Sequence, residues 1–136
     1  MPFITYWKGH IEPNVSDAIV CQMDLLASLG NLVGEDEKTT DSKNLISALI
    51  GDSKKGRDHL VIEAKSKTAL RSGDWILIPP HKGKPMNKKV GTETGVSPDY
   101  QLFNLTNDKG QEHNLASENP NKLKELMLIF NKLKQE

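Results

Sequence analysis

The sequence predicts an α+β fold: a small antiparallel sheet of about four strands, covered by a C-terminal helix and preceded by a β-α unit cut from a larger α/β sheet. Three observations carry this reading. The stretch "TALRSGDWILI" sets two β-prone runs on either side of Ser72-Gly73-Asp74, a hairpin signal. "YQLFNL" (100–105) supplies a further strand. Leu123, Leu126, Met127, Phe130 and Leu133 then recur at helical spacing. Strands at hairpin spacing need a second layer to bury their apolar face, and an amphipathic helix provides it.

The elements follow in order. "FITYW" (3–7) is aromatic and β-branched and reads as a strand, closed by Lys8-Gly9. Ser16 is a good N-cap, with Val15 and Val20 placed as a hydrophobic staple, so a helix is expected over 17–29. Ile19, Val20, Met23, Leu26 and Leu29 follow helical spacing while Ala18, Leu25 and Ala27 fill other faces, which implies burial on more than one side. Gly30 or Gly34 should end it. "GEDEKTTDSK" (34–43) is a polar loop, and "NLISALIGD" makes one or two helical turns. "HLVIEA" (59–64) is a strand. Residues 68–71 and 75–78 form the hairpin, which Pro79-Pro80 stops. Residues 81–99 carry four lysines, three glycines, Pro85 and Pro98, and read as a long irregular excursion. After 100–105, Asn119 caps a final helix near 120–134, with Pro120 at its first position.

Bulk composition removes several function classes. The 136 residues suffice for one modest core. Charge is balanced, 18 basic against 18 acidic, which argues against nucleic acid as a main partner. With Cys21 as the single cysteine, neither an internal disulfide nor a cysteine-based zinc site can form. No run approaches the length of a membrane span, and "MPFITYWKGH" lacks the basic and apolar regions of a secretion signal.

Four stretches line up with one family. Pro2-Phe3-Ile4, Trp7, Gly9, Ile11, Ser16-Asp17, Asp24-Leu25-Leu26 and Gly34 resemble, in order, a stretch of sulfatases. Asp41, Leu45, Leu49 and Gly51 resemble the family's D-G-x-x-L-x-x-x-L-x-G. Ala69, Arg71, Gly73, Trp75, Leu77 and Ile78 resemble A-x-R-x-G-x-W-K-L-I. Gln101-Leu102-Phe103-Asn104-Leu105, Asp108, Gly110 and Asn114-Leu115-Ala116 resemble x-Q-L-Y-N-L-x-x-D-P-G-E-x-x-N-L-A. The pattern is that of the arylsulfatase-like group in the alkaline phosphatase superfamily. Ala27-Ser28 replaces Pro-Thr, Ser42 replaces Gly, Ile76 replaces Lys, and Lys109 replaces Pro.

The resemblance implies a C-terminal portion of a sulfatase: residues 1–55 the end of the α/β domain, 56–136 the C-terminal subdomain. It implies a parent enzyme that hydrolyses sulfate esters of a small molecule or glycan, using calcium and a formylglycine made from C/S-x-P-x-R. Neither that motif nor the family's calcium acids occur here, so no catalytic or metal-binding residue is expected in this chain. The family is often exported, which makes the periplasm or cell exterior the expected place of the parent. The alternative is a stand-alone, non-catalytic module that binds a glycan or protein.

Individual residues are weighed against plainer roles. Cys21, within an apolar helix, reads as a core thiol. His10, His59, His81 and His113 are scattered without metal-ligand spacing. Glu35, Asp36 and Glu37 are consecutive and lack the alternation of a calcium loop. Arg71 and Asp74 flank the hairpin turn, where a local ion pair competes with a ligand contact. Trp75 reads as core. The basic stretch "HKGKPMNKK", above all Lys82 and Lys84, is the candidate for receiving an anionic substrate, against the reading of a solvated loop. Lys82, Lys84 and Arg71 are therefore the candidate substrate contacts. Finally, a strand and a helix deprived of the neighbours a whole sulfatase would supply should either pair with a second copy or pack as the parent does not, and self-association through residues 3–29 is the expectation.

Overall fold

A computed structural model describes residues 3–35, 41–64 and 67–135. The chain divides into two compact units, Met1–Asp58 and His59–Glu136.

The second unit is the sheet and its helix. β1 (His59–Ala64), β2 (Lys67–Ser72), β3 (Trp75–Ile78) and β6 (Gln101–Asn104) form an antiparallel sheet in the order β1-β2-β3-β6. Gly73-Asp74 is a two-residue turn between the paired Ser72 and Trp75, and Gly73 takes the positive φ (55°) that its first position demands. Register puts Leu70 opposite Leu77, and Leu77 opposite Leu102. Period-2 alternation sends this leucine row to one face. There it meets α3 (Pro120–Leu133) through Leu126 and Phe130, with Leu123, Met127 and Leu133 packed around them. The sheet and helical stripe are thus those the sequence predicts, making the fold α+β.

Two details differ. The Asn119 side chain does not cap α3; its amide donates backward to the Leu115 carbonyl at 3.3 Å. The 81–99 excursion is also less irregular than expected. It contains a two-stranded ribbon, β4 (Met86–Asn87) with β5 (Thr92–Glu93), turned by Gly91 at φ 63°.

The outer edge of β6 is covered rather than left open. Asn114 accepts from the Leu102 N–H (2.9 Å) and donates to the Tyr100 carbonyl (3.2 Å), while the Leu115 N–H donates to the Leu102 carbonyl (2.8 Å). The Asp108 carboxylate gathers the N–H groups of Glu112 and His113 at 3.1 and 2.9 Å, which turns the chain so that Asn114 arrives there. The Asn-Asp-Lys-Gly turn therefore protects a strand edge.

The first unit departs from expectation. Among its described residues there is no strand: 3–7 pairs with no other strand, and a β-prone sequence becomes a strand only when another backbone pairs with it. The helix is α1 (Asp24–Leu32), which begins seven residues later than the periodicity suggests. Ser16 instead closes a local turn, accepting from the Ala18 N–H at 3.3 Å, and Val15 is exposed, so the staple does not form. α1 passes through Gly30 and stops at a Schellman motif: the Gly34 N–H donates to Asn31 O (3.2 Å) and the Glu35 N–H to Gly30 O (2.9 Å), with Gly34 at φ 88°. Asp36 and Glu37 lie outside the described residues.

α1 buries Asp24, Ala27 and Ser28, while Leu26, Leu29 and Leu32 are exposed. It is held by polar groups of the 41–45 loop, which leads into α2 (Ile46–Leu49). The Ser42 hydroxyl sits inside the first turn of α1. It accepts from the Ala27 N–H (2.9 Å) and donates to the Met23 carbonyl (2.7 Å), relaying the hydrogen bond those two groups would otherwise share. Ser28 accepts from the Leu45 N–H at 2.9 Å.

Leu126 has no exposed surface, so Leu126→Ala is expected to cost about 2–5 kcal/mol in denaturant unfolding. A loss under about 0.5 kcal/mol would show that α3 packs by another face.

Candidate functional site

Two polar clusters are candidates for chemistry, one in each unit. In the first, the Asp24 carboxylate is wholly buried and accepts from the Arg57 Nε–H (2.9 Å), the Cys21 N–H (3.0 Å), the Lys43 N–H (3.1 Å) and the Cys21 thiol (3.2 Å). The Arg57 guanidinium is 9% exposed and also donates to the Asp41 carbonyl. Arg57 reaches this position because its N–H bonds the Ile19 carbonyl at 2.7 Å and Gly56 passes so close that a Cβ would overlap the Ile19 backbone.

Electrostatics settles what this cluster can do. Burial alone would raise the Asp24 carboxyl, but the Arg57 guanidinium and the amides and thiol around it outweigh that and hold it at about 2. The Arg57 bond to Asp24 raises the guanidinium further. Burial pushes the Cys21 thiol up, and its hydrogen bond to the negative Asp24 pushes it the same way. A thiol kept protonated is a poor nucleophile. The cluster is a structural clasp, and Cys21 is part of it rather than a free core hydrophobe.

The second cluster surrounds the ribbon. Lys82, Lys84, Lys88 and Lys89 are exposed there. The strand order adds Lys67 of β2, whose ammonium lies 3.9 Å from where a Cβ on Gly83 would stand. Arg71 is not part of this group. It lies in the row of β2 facing away from the Leu70 face, paired with Leu60 and Ile76, and its Nε–H donates to the Gly73 carbonyl at 3.2 Å. Asp74 accepts instead from the Thr106 hydroxyl (3.0 Å), so the expected Arg71–Asp74 ion pair is replaced by two separate hydrogen bonds that pin the turn. Trp75 packs against the leucine core.

No three His, Cys, Asp or Glu side chains converge among the described residues. Cys21 is followed by Gln22-Met23-Asp24 and lacks C/S-x-P-x-R. The described residues do not gather a calcium site, and the sequence holds no formylglycine motif.

No family model matches the chain. The N-acetylgalactosamine-6-O-sulfatase of Bacteroides thetaiotaomicron is 27% identical over 138 residues, covering 98% of this chain and 27% of that protein. Arylsulfatase A of Bos taurus is 28% identical over 134 residues, covering 84% of this chain and 25% of that protein. A solved sulfatase structure concerned with the metabolism of multiple glycosaminoglycans by Bacteroides thetaiotaomicron superposes with a TM-score of 0.88 at 25% identity, over 96% of this chain and 28% of that one. The chain is a sulfatase homologue. It spans about a quarter of the length of the curated relatives it matches, and it fits a C-terminal portion of a sulfatase. No helix of this sulfatase homologue, among the described residues, is long and apolar enough to cross a membrane.

The lowered Asp24 carboxyl stabilises the fold above its ordinary value of 3.8, and that contribution disappears as pH falls towards 2. The stability gap between the wild type and Asp24→Asn, measured in denaturant, is expected to narrow by about 2 kcal/mol between about pH 5 and pH 2. A gap independent of pH would remove the clasp from the account.

Proposed function

We propose that this chain is the C-terminal part of an enzyme that hydrolyses sulfate esters of a glycan, with the reacting groups supplied by residues outside it. The observation that carries the reading is the match to sulfatases over nearly the whole chain, in sequence and in fold, together with a sequence that lacks C/S-x-P-x-R. A relative named for N-acetylgalactosamine 6-O-sulfate, and a structural neighbour tied to glycosaminoglycans, support a sulfated amino-sugar chain as the substrate class. Lys82 and Lys84 are the residues proposed to meet that anion. Arg71, held by Gly73, is proposed only as support for the turn beside Trp75.

The 136-residue chain alone is expected to give no turnover of an aryl sulfate with calcium. The reading frame before Met1 is expected to encode C/S-x-P-x-R, and the longer protein is expected to be active and to lose activity with a chelator. Turnover by the 136 residues that vanishes with Cys21→Ala, or a preceding frame without that motif, would overturn the reading.

Exposure of Phe3, Ile4, Tyr6, Leu26, Leu29 and Val33 favours a second proposal for the isolated chain. Without a covering partner, these apolar side chains pair copies of the chain, since each buried side chain contributes roughly 1.5–3 kcal/mol. Light scattering at micromolar concentration should report a dimer or larger species that reverts to monomer in Leu26→Lys/Leu29→Lys. A monomeric wild type rejects it.

A further inference from the structure

The ribbon is a built platform. His81 anchors its base: the N–H donates to the Ser97 carbonyl (2.9 Å), and the ring Nε2 lies 3.3 Å from the Thr68 carbonyl of β2. Across the ribbon, Thr94 donates its N–H to the Pro85 carbonyl (2.9 Å) and its hydroxyl to the Lys84 carbonyl (2.6 Å). The Gln101 amide at the start of β6 holds the Gly95 carbonyl at 3.0 Å. At the tip, Asn87 accepts from the Lys89 N–H at 3.1 Å. Lysines in this stretch are therefore displayed on a hydrogen-bonded frame tied to two strands of the main sheet.

The charge on this frame is one-sided. Residues 81–90 contain four lysines and neither Asp nor Glu, although the whole chain is neutral. Lys67 adds a fifth cation at the base, beside Gly83. The ribbon's own acid is Glu93, opposite Met86, with Glu63 and Asp99 exposed nearby. Among the described residues, none of the four ribbon ammonium groups has an ion-pair or hydrogen-bond partner. Lys82 and Lys84 precede β4 and Lys88 and Lys89 follow it in the turn, so the charges lie at both ends of the strand rather than at one point.

We propose that Lys67, Lys82, Lys84, Lys88 and Lys89 form a docking strip for a sulfated polysaccharide, holding the polymer rather than the ester being cut. Lysine suits this role because its ammonium is a compact charge that accepts a sulfate from any direction, without the paired geometry that arginine imposes. Nucleic acid fits less well. No Phe, Tyr or Trp lies within 79–99 to stack a base, and the chain as a whole carries no basic surplus. The preference for a glycan rests on the sulfatase reading above; the strip itself rests on the ribbon's geometry.

The test uses the intact 136-residue chain and immobilised chondroitin sulfate at low salt. Retention is expected, falling as sodium chloride rises, and absent on desulfated chondroitin. The variant K82E/K84E/K88E/K89E should bind at least about tenfold more weakly while melting at the wild-type temperature. A control with the same charge change on α3 and beyond, K122E/K124E/K132E/K134E, should stay within about twofold. Should that control also lower the melting temperature, Lys88→Glu/Lys89→Glu against Lys132→Glu/Lys134→Glu makes the same comparison. No retention of the wild type, equal weakening by ribbon and α3 variants, or equally tight capture of duplex DNA would each overturn the proposal. No turnover is measured, so failure here leaves the sulfatase reading standing, and an inactive longer protein leaves this binding result standing.

Discussion

A single carboxylate organises the first unit. Asp24 collects the backbone of Cys21, the backbone of Lys43 and the side chain of Arg57, residues up to 33 positions away in sequence. Each of these fixes something else. Cys21 sets the entry into α1, Lys43 seats the loop whose Ser42 completes the first helical turn, and Arg57 ties the segment leading to β1 through the Asp41 carbonyl. A buried charge is tolerated only when paired and fully hydrogen-bonded. No buried side-chain oxygen or nitrogen among the described residues lacks a partner, so the clasp meets that condition.

Legibility differed between the units for a physical reason. In the second unit, local rules agree with the global fold. Alternation in 68–78, the Gly73 turn and the stripe on α3 all name the same buried face, and Leu70, Leu77, Leu102 and Leu126 close it. In the first unit the organising contacts are long-range and polar. No periodicity signals that Ser42 will insert between Met23 and Ala27, or that Gly56 must be bare to let Arg57 reach Asp24. The one sequence hint was a departure: Ser42 stands where the sulfatase pattern has glycine, and only a side chain with a hydroxyl can make that relay. Apolar spacing over 17–29 points to a helix buried by its leucines, whereas the observed helix buries Asp24, Ala27 and Ser28. The "FITYW" strand failed because strand formation is a property of two backbones. As for the ribbon, four lysines were visible in order, but their frame and the approach of Lys67 depend on pairing between β4 and β5 and on the position of β2.

The division of labour in this sulfatase homologue follows from where ionisable groups sit. Its buried pair, Asp24–Arg57, is locked by complementary charge, and the thiol beside it is suppressed. Four of its exposed lysines lie in and beside a ribbon outside the main sheet.

The inside-out character of α1 also bears on thermodynamics. Two of the three residues that α1 buries, Asp24 and Ser28, are polar, while Leu26, Leu29 and Leu32 keep about half of their surface in water. Exposing apolar surface raises the heat capacity on unfolding, and exposing polar surface lowers it. Disrupting this helix and its loop therefore carries a smaller heat-capacity change than disrupting the leucine-rich sheet, and its stability curve is flatter with temperature. Cooling, which weakens apolar burial, therefore bears more heavily on the leucine core than on the polar clasp.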